Sequence, residues 1–427
     1  MVSVSELYAC YRQHPHIQTD SRKLQPGEIF FALQGPRYDG HQFVAEVLEK
    51  GASYVVVHRP EAVINERCLL VADTLEALQQ LAHHHRMQQN IPFLAIGGSN
   101  GKTTTKELIH AVLATTYQAY ATPGNWNNHI GIPLTLLGMP PETTIAIIEM
   151  GANHLGEMMQ YCTMVSPTHG LITNIGKDHL EGFGSLEGVK KAYNELYDYL
   201  RLIHGVAFVC YDDATLMALS EGISNRHTYG STAEAEVSGS LLQANPFLSL
   251  DVRVHGQQAH IQTQLIGRYN FHNVMAAVAV GAFFGVPLTE IQAGIARYVP
   301  RNNRSQLLEK DGNVYILDAY NANPSSMKAA IENFAAMPAR KKILLLGAMK
   351  ELGEASAAEH QELIRLIDQY SWDLVALAGE EFAGLSRDYL YFPDTASLRE
   401  WWKNQHITDA YVLVKGSRSL AMEQVVN

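Results

Sequence analysis

The chain has 427 residues, 47% apolar and 18% charged, which is material for two to four packed units, three being the expected number. That composition excludes a disordered or fibrous protein. Its 32 basic and 43 acidic side chains leave a net charge of −11, which disfavours a nucleic-acid binder working through a general basic field.

Cys10, Cys68, Cys162 and Cys210 are scattered without a CxxC pair, so neither a disulfide framework nor a zinc cluster is expected. The first 22 residues lack a long apolar core and a cleavage signal. The longest apolar run, Met275 to Leu288, falls short of the roughly 20 residues of a membrane span. A cytoplasmic protein without membrane insertion is the expectation.

In chain order, the runs 28–33 and Tyr54 to Val57 read as buried strands, with an amphipathic helix from Phe43 to Lys50 between them. Leu75 to Met87 reads as a helix, and Asn90-Ile91-Pro92 as a boundary. Its run His83-His84-His85 is read as solvated surface, because successive helical side chains point about 100° apart and cannot share one metal ion. Strands then alternate with helices at 93–96, 144–148, 170–173 and 206–210, favouring a largely parallel sheet covered by helices. Between about 227 and 265 the period shortens to two, which suggests an antiparallel insert. A small-residue helix follows at 273–284, then a linker at 299–303. Strands near 314–318, 343–346, 374–378 and 410–414 fit a Rossmann-like third unit. The expected class is α/β, with units at 1–88, 89–298 and 299–427.

The strongest local signal is the run from Gly97 through Gly98, Ser99, Asn100, Gly101, Lys102 and Thr103 to Thr104, lying between a strand and a helix. Glycines let backbone N–H groups converge on phosphate oxygens, and the helix N-terminus adds positive potential. Lys102 would reach the terminal phosphates and Thr103 would hold Mg²⁺. Strict GxxxxGK[ST] spacing is not met, since Ile96 stands six before Lys102. Glu149 ends the next apolar strand, a position suited to Mg²⁺ and equally to a solvated strand end.

Nine collinear segments carry a wider similarity: 19–41, 97–107, 122–137, 149–158, 173–185, 267–273, 318–327, 347–353 and 413–426. Among them are GGSNGKTTTKE, TNIGKDHLEGFGS, DAYNANPSSM and LVKGSRSLAMEQVV. Through these the chain resembles the Mur ligase family, whose members share the shortened phosphate loop. The resemblance implies a three-domain fold: an N-terminal domain for the UDP-sugar, a central ATPase and a C-terminal Rossmann-like domain. It also implies an activity, the ATP-dependent joining of D-Ala-D-Ala to UDP-MurNAc-tripeptide through an acyl phosphate, with Mg²⁺ and a monomeric enzyme.

Roles carry over by position. Lys102, Glu149 and His179 are implied as catalytic, and Thr103, Glu149 and His179 as facing Mg²⁺. The loop residues Gly98 to Thr104 are implied for the ATP phosphates. Asn273, Arg304 and Asp318 are implied for adenine and ribose, or for orienting the third domain over the nucleotide. Ser21 and Arg22, with Asp39, Gly40 and His41, are implied for the uridine-diphosphate end. Asn125, Asn127 and Asn128 are implied as substrate contacts. Asn321 and Asn323, with Lys415, Ser417 and Arg418, are implied for the dipeptide.

The sequence also departs from the family. Tyr193 stands where members carry a lysine that CO₂ carbamylates to help hold a second Mg²⁺, and a phenol cannot form that carbamate. Lys190, about one helical turn earlier, is the lysine that could substitute through a shifted backbone. Tyr269 and Ala348 replace a common His and Asp. Three other readings follow: a sister ligase adding the third amino acid, an impaired UDP-sugar or ATP-binding homologue, and a generic P-loop kinase or GTPase. The absence of a DNPR-like motif argues against the diaminopimelate-specific sister ligases. The third-domain motifs argue against the generic P-loop enzyme.

Overall fold

The computed structural model describes residues 1–385 and 388–426. Among these, three helix-covered sheets follow one another along the chain. The first has four parallel strands in the order Ile17–Gln18, Ile29–Phe31, Tyr54–Val57, Cys68–Leu70.

The central sheet has nine strands. From one edge they run Gln257–Gln262, Ser249–Val254, Val237–Gln243, Asn225–Gly230, Val206–Cys210, His169–Ile172, Phe93–Gly97, Ile145–Glu149 and Ala119–Ala121. Phe93–Gly97 and Ile145–Glu149 are buried along their whole length, which is why they read as unbroken apolar runs rather than alternating ones. Helix Lys102–Leu113 buries Leu108, Ile109, Val112 and Leu113, and packs beside helix Phe271–Phe283.

The third sheet runs Gln306–Lys310, Asn313–Leu317, Tyr411–Lys415, Lys342–Gly347, Leu374–Ala378, Leu390–Phe392. All its neighbours are parallel except the first pair.

The stretch expected as an antiparallel insert is continuous with the main sheet. Asn225–Gly230 pairs parallel with Val206–Cys210 and with the start of Val237–Gln243, and only the last two strand pairs are antiparallel. Period two arose because these strands form a sheet edge with one solvated face, as the alternating burial of Ser249–Val254 illustrates. The short edge strands Gln306–Lys310 and Leu390–Phe392 were not expected. Each is only partly buried and so lacks a continuous apolar signal. The helix expected from Phe43 begins as a 3₁₀ turn over Gly40–Phe43 and becomes α-helical at Val44.

Packing divides the three sheets unequally. One face of the first sheet, through Phe31 and Val56, merges with the central core, which also takes in Leu7, Tyr11, Leu78 and Leu81. The third sheet has an apolar core on each face, and one of them takes in Ile266 and packs against Leu180 and Phe247 of the central unit. The three histidines read as solvated are half-buried at the first of these joins: His83 Nδ1 lies 3.0 Å from the Met164 carbonyl, and His84 and His85 pack on Tyr8. Apolar partners on helix Val4–Gln13 supply the cover that helical periodicity could not reveal.

Arg86 pins the same join. Its guanidinium donates to the carbonyls of Val165 (2.7 Å), Ser166 (2.8 Å) and Gln89 (3.0 Å) and lies 3.8 Å from the centroid of the Phe93 ring. Burial lowers its pKa to about 10. Truncation would strand the end carbonyls of helix Glu157–Val165 and remove a desolvated cation–π contact. Arg86→Ala is expected to cost about 3 kcal/mol, read as an earlier first urea transition, with Arg86→Lys recovering only part of it.

Candidate active site

Strand Phe93–Gly97 runs into a loop that bends back on itself before helix Lys102–Leu113. Gly98 and Gly101 have φ of +119° and +80°, which side-chain-bearing residues rarely adopt. A Cβ on Gly98 would stand 2.3 Å from Thr173 Oγ1, and one on Gly101 would stand 2.7 Å from Asn273 Oδ1. The loop is therefore held from both sides. Asn174 Oδ1 accepts from the Asn100 N–H at 3.1 Å, and the Thr173 hydroxyl and the Asn174 amide both donate to the Asn100 carbonyl.

Beyond the loop lies a cavity of about 510 Å³, at the carboxyl ends of the central strands and walled on the far side by residues 318–326. This is the crevice where open parallel sheets take ligands. Two wider clefts, of about 880 and 1080 Å³, lie beside helix Lys102–Leu113 and against helix Thr74–Met87. Neither contains Lys102, Thr103 or Glu149, so the chemistry points to the smaller one.

Lys102 folds over its own loop, donating to the carbonyls of Gly98 and Ser99. Burial lowers its pKa, while the Asp178 and Glu149 carboxylates oppose that shift. The Thr103 hydroxyl donates to both oxygens of Glu149, at 3.0 and 2.9 Å. Glu149 is 1% exposed, so the solvated strand-end alternative does not hold. Asn127 Nδ2 donates to Glu149 at 2.8 Å, and Lys106 Nζ lies 3.6 Å away. A hydroxyl and a buried carboxylate at a phosphate loop form a hard-oxygen donor set that fits Mg²⁺.

His179 lines the same cavity in a left-handed conformation (φ 45°), with Nδ1 2.6 Å from Glu351 of the third unit. That bond holds Glu351 below the usual carboxylate range. Asn273 sits under the loop, accepting from Thr105 and donating to Asn270.

Facing the loop, Lys415 Nζ pairs with Asp318 at 2.6 Å and donates to the Asn321 carbonyl at 3.2 Å. Asn323 caps helix Pro324–Ala336 and donates to Asn100 Oδ1 at 2.9 Å, tying the third unit to the phosphate loop. The Arg304 guanidinium stacks 3.6 Å from the centroid of the Tyr320 ring.

Not every expected residue gathers here. Asn128 lines the cavity, its Oδ1 accepting from the Gly131 N–H at 2.9 Å, but Asn125 does not line it. Ser417 is buried behind the wall. The Arg418 guanidinium pairs with Glu423 at 2.9 Å and lies 5.6 Å from the centroid of the Tyr320 ring, while its backbone N–H donates to Asn321. Ser21 and Arg22 belong to the first unit, away from this cavity; Arg22 pairs with Asp20 at 2.7 Å. Asp39 is bound by His41 (2.8 Å) and Arg59 (2.9 Å), a closed polar network at the end of the first sheet.

Sequence reasoning missed Lys106, which is 2% exposed and bonded to the carbonyls of Thr122 and Gly124. A lysine on the otherwise buried face of helix Lys102–Leu113 was the available signal. Asp178 and Glu351 were also missed. Lys190 faces Glu187 at 3.8 Å, half-exposed, and does not stand in for a lysine at position 193.

Comparison with known proteins agrees with this geometry. Residues 15–86 match the model of the Mur ligase family catalytic domain, 96–281 the Mur ligase middle domain and 303–418 the Mur ligase glutamate ligase domain. The chain is 33% identical to UDP-N-acetylmuramoyl-tripeptide–D-alanyl-D-alanine ligase of Bacillus subtilis and 36% identical to that of Escherichia coli. Each alignment covers 96% of this chain and 92% of the relative. Among solved structures it is similar to MurF from Acinetobacter baumannii (TM-score 0.88, 31% identity, 96% and 92% coverage). It is similar also to MurF ligase from Thermotoga maritima in complex with ADP (TM-score 0.86, 25% identity, 100% and 97% coverage). With three family domains in order and relatives matched over nearly their whole length, this chain belongs to the Mur ligase family.

Proposed function

We propose that this chain joins D-Ala-D-Ala to UDP-MurNAc-tripeptide at the expense of ATP, supplying the pentapeptide precursor of peptidoglycan in the cytoplasm. The observation that carries the reading is the phosphate loop facing the Asp318–Asn323 segment across one cavity. That arrangement brings a nucleotide grip and a second polar wall to the same small space. The units follow the divisions near 88 and 298, with the third free to close over the second.

A carboxylate does not acylate an amine until one of its oxygens becomes a leaving group. In the first step a carboxylate oxygen of the tripeptide attacks the γ-phosphorus of ATP, the bond to the β-phosphate oxygen breaks, and ADP leaves. In the second, the dipeptide amine attacks the acyl carbon, loses a proton and expels phosphate.

The loop N–H groups and the start of helix Lys102–Leu113 suit the phosphates, and Lys102 neutralises charge as the phosphoryl group moves. Thr103 and Glu149, with His179 opposite, would hold Mg²⁺, whose chemistry here is to offset phosphate charge. Asn273, Arg304 and Asp318 would contact the nucleoside. Asn127 and Asn128 suit the peptide carboxylate, and Asn321, Asn323 and Lys415 the dipeptide. The N-terminal cluster around Ser21, Asp39 and His41 would take the uridine end. Closure of the third unit excludes water from the acyl phosphate, which otherwise hydrolyses.

Two outcomes are expected. Incubation with ATP, Mg²⁺, D-Ala-D-Ala and UDP-MurNAc-tripeptides ending in lysine or diaminopimelate yields a UDP-MurNAc-pentapeptide mass and equimolar ADP. Coupling of a single amino acid to the dipeptide precursor instead would select the sister ligase. Lys102→Ala lowers kcat by at least about 10³-fold, while calorimetry finds UDP-MurNAc-tripeptide binding within a factor of about two. Loss of both would contradict the role given to Lys102.

A further inference from the structure

Tyr193 lies wholly buried on helix Leu186–Ile203, directly beneath the phosphate loop, with Cδ1 3.5 Å from where a Cβ on Gly97 would stand. The Lys102 ammonium sits 5.7 Å from its ring centroid. Its hydroxyl donates to Asp178 Oδ2 at 3.0 Å. Burial, first, and the Asp178 carboxylate beside it hold the phenol well above its ordinary pKa, so it remains a donor. A phenol forms no carbamate with CO₂, and Lys190 points away to Glu187. The residues present do not fit a carbamylated lysine.

They do supply a carboxylate. Asp178 is 2% exposed, lines the active-site cavity and sits beside His179. Its Oδ1 accepts from the Ser99 hydroxyl at 2.6 Å, and that hydroxyl in turn accepts from the Gly176 N–H at 2.9 Å. Two neutral hydroxyls thus fix both oxygens from the protein side. A carboxylate oxygen offers two lone pairs, so each retains acceptor capacity.

No ion pair within 4.0 Å among the described residues includes Asp178. The Lys102 ammonium is close enough for Asp178 to oppose its burial shift but forms no ion pair with it, and a carboxylate so deeply buried gains from a cation that meets it directly. Ser99 belongs to the phosphate loop itself, so the carboxylate is keyed to the element that grips the nucleotide. The family's carbamate and an aspartate each bring one negative charge and two hard oxygens. The difference is that Asp178 is permanent, whereas a carbamate must form and can be lost.

Resting on the ligase reading, we propose that Asp178 supplies the carboxylate for a second divalent cation at the ATP phosphates. Tyr193 and Ser99 act as its positioning residues, and no CO₂-derived group is required.

The test is Mn²⁺ titration of the full-length protein by electron paramagnetic resonance, with β,γ-imido-ATP saturating, so that no turnover intervenes. Wild type is expected to bind two Mn²⁺. Asp178→Asn, which preserves shape, is expected to keep the first and weaken the second at least about tenfold. Tyr193→Phe, which leaves the carboxylate but frees one oxygen, is expected to weaken the second by a smaller factor. Circular dichroism checks that both variants fold. With ¹³C-bicarbonate, wild type is expected to give no carbamate carbon resonance. A single Mn²⁺ in wild type, two unaltered Mn²⁺ in Asp178→Asn, or a carbamate resonance would each overturn the proposal. Wild type that makes the pentapeptide while failing this titration overturns the proposal alone. Wild type that passes it yet makes no product overturns the ligase reading alone.

Discussion

The tight turn between Gly98 and Gly101 is the constraint on which the rest of the site depends. Thr173 approaches so closely at Gly98, and Asn273 at Gly101, that no larger residue fits. The turn fixes the direction of helix Lys102–Leu113, and with it the reach of Thr103 to Glu149 on the neighbouring strand. It also leaves the Lys102 ammonium over the Gly98 carbonyl, near the two carboxylates Asp178 and Glu149. Charge balance in the cavity is thus set by local backbone geometry before any substrate group is considered. Two buried carboxylates beside the half-buried Lys102 and the buried Lys106 suit a site that handles several phosphate charges together with cations.

The units meet the central one in different ways. The first unit is welded to the central one by a shared apolar core and by Arg86. The third meets it through Ile266, Leu180 and Phe247, which pack in or against its core, and through polar contacts. Asn323 meets Asn100 at 2.9 Å, the Lys177 N–H meets Ser325 at 2.9 Å, Lys177 pairs with Glu359 at 2.6 Å, and His179 with Glu351 at 2.6 Å. Contacts of this kind contribute up to about 1 kcal/mol each where solvent reaches them. Arg304 stacks on Tyr320 within the third unit, next to the linker.

Much of this was legible in the sequence because it is local. A strand, a glycine turn and a Gly-Lys-Thr step lie within a dozen residues, and their chemistry follows from their spacing. Parallel strands declared themselves through unbroken apolar runs, whereas the partly buried edge strands at 306–310 and 390–392 did not. What stayed hidden needs the chain to return on itself. Glu351 reaches His179 from 172 positions away, so nothing near either residue announces the pair. Tyr193 was visible as a departure, but its partner Asp178 was not, since a loop and a helix must fold together before the two touch. Asn127 and Asn128 of the glycine-flanked turn line the cavity, whereas Asn125 does not. The histidines at 83–85 were under-read, because helical periodicity says nothing of a neighbour contributed by residues 4–13.

The account turns on the phosphate loop as the place where the nucleotide is gripped and its terminal phosphate transferred. The most direct test is a crystal structure of the full-length protein with β,γ-imido-ATP and Mg²⁺. The account predicts that Lys102 leaves the carbonyls of Gly98 and Ser99 for the β- and γ-phosphates. It also predicts that Thr103 and Glu149 meet the metal, and that the Ser99–Asp178 bond survives. A nucleotide seated in either of the wider clefts, with Lys102 still folded on its own loop, would contradict it.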